Sequence, residues 1–429
     1  MRELVSTRQI AFEVLYDVLV NQKYSNIILP QRLNSTSFES RDKAFITELV
    51  YGTLRQQGFC DAAIRAFSDR DISKIDMKVL IVLRLGVYQL LILKSSNHAA
   101  VSESVELAKT VSGKSTAGFV NAVLRRVSEN LDFAPSEHSE RYSHPRWIID
   151  SYKDALKSDD QVLQQLISNN EPASPTLVAW PGLSSIEEIA GEGAVPIAGS
   201  KSALSYSGNP GNISAVRERR AGVQDLGSQL VVENFLETDT GGLSWLDMCA
   251  GPGGKAAYLD SSLFYGERDA KSFVANEISS ERAKLVKQVV RNGKVTNFDA
   301  RTLKRELTLS EGTFDRILID APCTGIGALR RRPEVRWRRT PKDLPSLTQL
   351  QSELLASAVT LLKPGGIIGY ATCSPHLAET KWQIRSFLKA NENFQRIPVT
   401  KFADSDGDMQ LWTFRDGTDS MFLSLLQSN

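Results

Sequence analysis

The chain has 429 residues, 41% hydrophobic and 24% charged, which suits a soluble globular protein and excludes a disordered or fibrous one. Its formal net charge is only +1, so no global basic field points to a nucleic-acid partner and any such partner must be read from local clusters. The length allows two or three domains of roughly 100–200 residues each.

No apolar signal core precedes Arg8, so an export segment is not expected. The most apolar stretch, residues 77–93, is shorter than the roughly 20 residues of a membrane span and contains Arg84, so it reads as a buried core helix. Cys60, Cys249, Cys323 and Cys373 lie far apart, and His98, His138, His144 and His376 have no metal-ligand spacing. A cytoplasmic protein with reduced thiols, no structural metal and no membrane partner is expected.

The first 130 residues read as successive helices. Ile10, Val14, Leu15 and Val18 recur at helical spacing, as do Phe45, Leu49 and Leu54, and further helices are expected over 78–93, 102–111 and 117–127. Two more helices fit between 144 and 169. From 171 to 222 the texture turns to Pro, Gly and Ser with short β-type runs such as 176–180. Beyond 243, apolar strands at 243–248, 272–276, 316–320 and 367–371 alternate with helices at 255–260, 280–291, 344–362 and 378–390, the pattern of a doubly wound parallel sheet. The expected organisation is multidomain: an all-helical domain over 1–135, a small mixed α/β connecting region over 136–222, and a Rossmann-like α/β domain over 223–429.

The first strand of the last domain runs into Cys249, Ala250, Gly251, Pro252, Gly253, Gly254 and Lys255, after which a helix begins. Glycines in such a turn let backbone amides approach a ligand at the carboxyl edge of the sheet. The next strand ends at Glu277, about 20 residues on, where a carboxylate can take both hydroxyls of a ribose, and Asp299 is placed to meet an adenine amino group. The loop lacks the spacing of a phosphate-cradling P-loop. A ligand with a ribose and an adenine but no phosphate, S-adenosylmethionine, is favoured over ATP or NAD.

Two further strand ends carry Asp320-Ala321-Pro322-Cys323 and Thr372-Cys373-Ser374. A free cysteine is usually a small buried hydrophobe. Two of them at ligand-side strand ends suit covalent catalysis instead. Carbon 5 of cytosine is a poor nucleophile until a thiolate adds to carbon 6. Asp320 is positioned to hold a proton at N3 and offset the charge driven into the ring. Amino-group methyltransferases often carry Asn/Asp-Pro-Pro-aromatic at the position of Asp320–Cys323, so a cysteine there argues for carbon methylation. The chemistry alone leaves open which thiol attacks.

Residues 249–255, 320–327, 331–334 and 371–374 resemble the bacterial Sun/Fmu/RsmB family of 16S ribosomal RNA cytosine-C5 methyltransferases. Residues 41–43, 48–52, 86–90, 98–103 and 119–125 resemble the NusB-like RNA-binding domain attached to that family. The resemblance covers essentially the whole chain. It implies that Cys373 is the nucleophile and Cys323 helps release product. It also implies that the 249–255 loop, Glu277, Asp299 and Asp320 contact the cofactor, and that the target is the cytosine conventionally numbered 967, in free 16S rRNA or immature subunits. Glu277 stands where Asp is frequent, Ser420-Met421 where Gly-Phe is usual, and residues 187–211 match the pattern poorly and are assigned no role. A transfer-RNA methyltransferase, or a non-catalytic RNA-binding or antitermination protein, are the alternative readings. A monomer is expected.

The basic run of Arg330, Arg331, Arg332, Arg336, Arg338, Arg339 and Lys342 directly follows the Cys323 loop, with Trp337 in its midst. A basic run is usually a solvated face. Here it is expected to bind phosphates flanking the target base, with Trp337 either stacking on a base or packing in a core.

Overall fold

The computed structural model describes residues 6–238, 241–266 and 268–429. Residues 1–5, at the start of the stretch read as lacking a leader, lie outside the described residues. The chain divides into two compact units, one comprising residues 1–153, 158–171 and 329–339, the other 154–157, 172–328 and 340–429. The break expected after residue 135 is not a boundary of this division, because the helices up to residue 171 belong mostly to the helical unit. The region 136–222 is shared between the two units rather than forming one of its own.

Among the described helices of the first unit are Thr7–Leu19, Ser25–Asn34, Ser40–Arg55, Gln57–Phe67, Met77–Val87, Asn97–Ser112, Ala117–Ser128 and Asp159–Ser168. Ser6 starts the first by accepting a hydrogen bond from the Gln9 amide, and Asp76 does the same for Lys78 and Val79 at the head of the central helix. Ile10, Val14, Leu15 and Val18 are buried as their spacing demands. The central helix buries every residue from Val79 to Val87 and continues as a π-helical turn, Tyr88–Ile92. Arg84, the charge inside that apolar run, is compensated by a bidentate pair with Asp61 at 2.7 and 2.8 Å. No described helix is long and apolar enough to cross a membrane.

Residues 329–339 belong to this unit, and there the reading of the basic run needs correction. Arg336 is fully buried. Its guanidinium donates to the carbonyls of Arg55, Ser143 and Asn169 at 3.0, 3.0 and 3.2 Å and to Asn170 Oδ1 at 2.8 Å. Desolvation lowers its pKa to about 9. A group so enclosed has no face left for a phosphate. Glu334, also buried, accepts from the amide and hydroxyl of Ser25. Trp337 packs on Gly58, where a built Cβ would lie 2.9 Å from the indole. Arg338 donates to the Val18 and Lys23 carbonyls. This stretch is largely a structural insert of the helical unit.

The second unit holds two sheets. The smaller is antiparallel with order β2-β3-β1-β4, built from β1 Thr176–Ala179, β2 Val195–Pro196, β3 Ala203–Ser205 and β4 Ala221–Val223. The larger contains β5 Ser244–Asp247, β6 Ser272–Asn276, β7 Lys294–Thr296, β8 Phe314–Asp320, β9 Leu362–Thr372, β10 Phe394–Ile397, β11 Met409–Gln410 and β12 Phe422–Ser428. Its order is β10-β12-β9-β8-β5-β6-β7, with β11 on β12. Strands β5 to β9 are parallel, and β10, β11 and β12 pair antiparallel. The parallel part matches the strand–helix alternation expected from sequence. The antiparallel edge does not appear in that reading, because β12 pairs with β9 and β10 across long intervening stretches of chain.

The chain leaves β5 toward β6 and β7, then returns to β8 and β9 on the other side. The carboxyl end of β5 is therefore a topological switch point, where open α/β sheets bind ligands.

Candidate active site

Three loops meet at that switch point. After β5 the chain turns through 249–253 into the helix Gly254–Phe264. Gly253 takes φ +120°, open to glycine, and a Cβ on Gly251 would stand 2.1 Å from Glu277 Oε2. That close approach lets the Gly251 amide donate to Glu277 at 2.9 Å, while Ser279 N and Arg282 hold the other carboxylate oxygen at 2.8 and 2.7 Å. Ile278 and Phe298, exposed large apolar side chains, follow Glu277 and precede Asp299 in the chain.

Asp299 begins a 3₁₀ turn and is engaged bidentately by Arg301, whose hydrogen bonds hold its carboxyl below the ordinary range. Cys249, in the loop, has a thiol that burial pushes well above its ordinary value. Asp247, the last residue of β5, went unnoticed among the strand residues, although a charge in an apolar strand is a signal. It is fully buried, its Oδ1 accepts from Cys249 N at 3.2 Å, and Oδ2 has no hydrogen-bond partner. Burial, then the Asp320 charge, pushes its carboxyl up to about 8.

An orphaned buried carboxyl oxygen, a glycine cradle and a second acid at the next strand end suit a ligand with a cationic end and a ribose. These residues fit S-adenosylmethionine.

At the ends of β8 and β9 the two cysteines stand together, with Cys323 Sγ 3.4 Å from Cys373 Sγ. Lys255, read from sequence as part of the cofactor loop, sends its ammonium to Asp320 Oδ2 at 2.8 Å, with Ser228 Oγ at 3.4 Å. Burial works against the Lys255 charge, but Asp320 and then Cys373 outweigh it and raise its pKa. Cys323 is held well above its ordinary value, first by its hydrogen bond to Cys373, then by burial and by the charges of Cys373 and Glu379. Burial and neighbouring negative charge thus both disfavour a thiolate at Cys323. The structure thus brings Asp320, Cys323, Cys373 and Lys255 into one cluster beside the glycine loop. Arg330, Arg331 and Arg332 continue the chain from the Cys323 loop and remain partly exposed, as does Arg339.

One group looks like a metal site and is not built as one. Asp404, Asp406 and Asp408 converge, but Lys381 Nζ sits among them at 2.6, 3.0 and 2.9 Å. The lysine supplies the counter-charge a cation would bring.

A glycine-rich loop at the switch point of this sheet, beside two thiols and a lysine–carboxylate pair, defines an S-adenosylmethionine-dependent methyltransferase. Residues 234–427 match the family of 16S rRNA methyltransferase RsmB/F, and residues 5–129 match the NusB family. The chain belongs to the RsmB/F family of RNA cytosine methyltransferases and carries a NusB-family domain at its N-terminal side. It is 40% identical to a Mycobacterium tuberculosis protein named only as a candidate methyltransferase, over 99% of this chain and 97% of that one. It is 30% identical to the ribosomal RNA small subunit methyltransferase B of Vibrio vulnificus, over 94% of each. The solved structure of PH0851 superposes with a TM-score of 0.84 at 24% identity, covering 98% of both chains, which shows a shared fold.

Proposed function

We propose that this protein methylates carbon 5 of a cytosine in 16S rRNA, at the position conventionally numbered 967, through a covalent adduct with Cys373. The observation that carries the chemistry is the thiol pair 3.4 Å apart, flanked by the Lys255–Asp320 pair. The name of the Vibrio relative supports the ribosomal substrate.

The Cys373 thiolate adds to carbon 6 of the base, and the electron pair displaced from the 5,6 double bond makes carbon 5 nucleophilic. Asp320 and Lys255 share a proton toward N3, so the ring does not carry the full negative charge. S-adenosylmethionine, when bound, supplies an electrophilic methyl group. Glu277 would take its ribose hydroxyls and Asp247 its cationic amino-acid end. Carbon 5 then loses its proton to water, the 5,6 double bond re-forms and the carbon–sulfur bond breaks with its electron pair on Cys373. The Cys323 thiol, kept protonated, donates to that departing sulfur. A stacked cytosine hides carbon 6, so the target must lie in a loop or be flipped out. Arg330, Arg331, Arg332 and Arg339 would contact phosphates of the RNA.

The test incubates wild type, Cys373→Ala and Cys323→Ala with methyl-labelled cofactor and either 16S RNA or transfer RNA, followed by a denaturing gel. Expected are transfer to 16S RNA by wild type, none by Cys373→Ala, and a trapped protein–RNA adduct with Cys323→Ala. The adduct pattern reversed between the cysteines would exchange their roles. Methylation of transfer RNA alone would replace the substrate, and transfer to neither RNA nor to immature subunits would favour an inactive RNA-binding module.

A further inference from the structure

We infer that Glu379 is a positioning residue that clamps the two cysteine loops in register and sets its carboxylate behind Cys323. The inference rests on Cys373 as the attacking thiol.

Glu379 is fully buried in a 3₁₀ turn beyond the Cys373 loop. Its Oε1 accepts from the Thr324 amide at 2.8 Å and its Oε2 from the Thr324 hydroxyl at 2.5 Å. Thr324 follows Cys323. The same Thr324 hydroxyl lies 3.1 Å from Ser374 Oγ, and Ser374 follows Cys373. One carboxylate therefore grips the residue after the first cysteine and, through it, reaches the residue after the second. Gln351 Nε2 bridges Pro322 O at 2.9 Å and Glu379 Oε1 at 3.3 Å, fixing the residue before Cys323 as well. The Tyr370 hydroxyl donates to the Glu379 carbonyl at 2.9 Å, which ties the turn back to β9.

A bare carboxylate in a dry site costs several kcal/mol unless its oxygens are satisfied. A leucine or methionine would fill this space without that cost. What an apolar residue cannot do is bond an amide and a hydroxyl at once, or place a charge behind Cys323.

The groups facing Cys323 are Cys373 just beyond β9, Glu379 from its turn and Tyr370 from β9. Lys255 and Asp320 face the Cys373 side. Glu379 and Cys373 both raise the Cys323 thiol, whereas Lys255 faces Cys373. Charge is thus biased toward one sulfur of the pair. A clamp with the geometry alone would align the thiols but leave the proton to either.

The full-length protein tests this with iodoacetamide, read by peptide mass spectrometry at Cys323 and Cys373 across pH and without RNA. Glu379→Gln keeps the shape and an acceptor for the Thr324 amide but removes the charge. Its Cys323 should alkylate at lower pH than in wild type. Its methyl transfer to 16S RNA should fall about 10- to 100-fold, as for a sub-ångström displacement of a reacting group, with cofactor affinity within about twofold. Thr324→Val cuts the hydroxyl link while keeping the carboxyl. It should lose rate similarly and move the Cys323 profile less, and it stands in if Glu379→Gln does not fold. An unchanged Cys323 profile in Glu379→Gln, or an unchanged rate in both variants, would overturn the proposal. If wild type methylates neither RNA, only the substrate reading fails, because the thiol profile still decides the role of Glu379.

Discussion

The strand ends of the second unit and the basic insert of the first are equally rich in charged and reactive side chains, yet they put them to opposite uses. At the ends of β5, β8 and β9 the fold leaves Asp247 Oδ2 without a partner and sets two thiols against each other. In the insert it gives the terminal nitrogens of Arg336 four acceptors and Glu334 two donors from Ser25. Unsatisfied chemistry marks a site for a ligand, and satisfied chemistry marks a part of the scaffold.

The sharpest contrast comes from Arg336→Ala. It leaves a cavity and strips several buried carbonyls of their donor, so unfolding should become easier by about 3–5 kcal/mol. Denaturant midpoints measure this directly. A loss below about 1 kcal/mol would return Arg336 to the list of RNA ligands. Lys255→Met works the other way. It should leave stability nearly unchanged but reduce methyl transfer about 100-fold, equivalent to roughly 2.7 kcal/mol, because Asp320 loses the partner with which it shares a proton. If cofactor binding fell by the same factor and the chemical step did not, Lys255 would belong to the cofactor loop, as its sequence position suggests.

Those two outcomes bear on what was legible beforehand. The parallel sheet, the glycine loop and both cysteines could be read because each is a local event: a short apolar run that ends in a turn carrying a reactive group. Parallel topology then places all such ends on one edge. The burial of Arg336 has no local signature. Its acceptors belong to Arg55, Ser143, Asn169 and Asn170, far away in the chain, and a pattern of arginines around a tryptophan looks the same whether it faces water or carbonyls. Glu379 was missed for a related reason. It lies in what reads as the start of a helix, and only the fold shows that Thr324 and Ser374 converge on its turn. The antiparallel edge is hidden because β10 and β12 pair across 25 or more intervening residues.

Asp247→Asn probes the unsatisfied side of the comparison through pH. The folded-state pKa of Asp247 is pushed up to about 8, above the unfolded value, so the folded form binds the extra proton and this residue reduces stability as pH rises through that window. The amide cannot ionise. Without cofactor it should stabilise the protein by about 1–3 kcal/mol at pH 8 and by only a few tenths near pH 4, while weakening cofactor binding. Thermal melts at the two pH values check the sign, and equal shifts at both would mean that Asp247 is not a buried acid awaiting a cationic partner.

The smallest effect lies within the basic insert itself. Arg332 is partly exposed, with its guanidinium 6.0 Å from the Tyr24 ring, a weak cation–π distance. If it neutralises one phosphate, Arg332→Ala should weaken RNA binding by under about 1 kcal/mol at physiological salt and flatten the slope of log K against log salt by roughly 0.7–0.9. Arg336 contributes nothing to that slope, so the two arginines, four positions apart, separate cleanly by measurement: one changes the salt dependence without touching stability, the other the reverse. An unchanged slope in Arg332→Ala would assign that arginine to the scaffold too and move the RNA surface away from the insert.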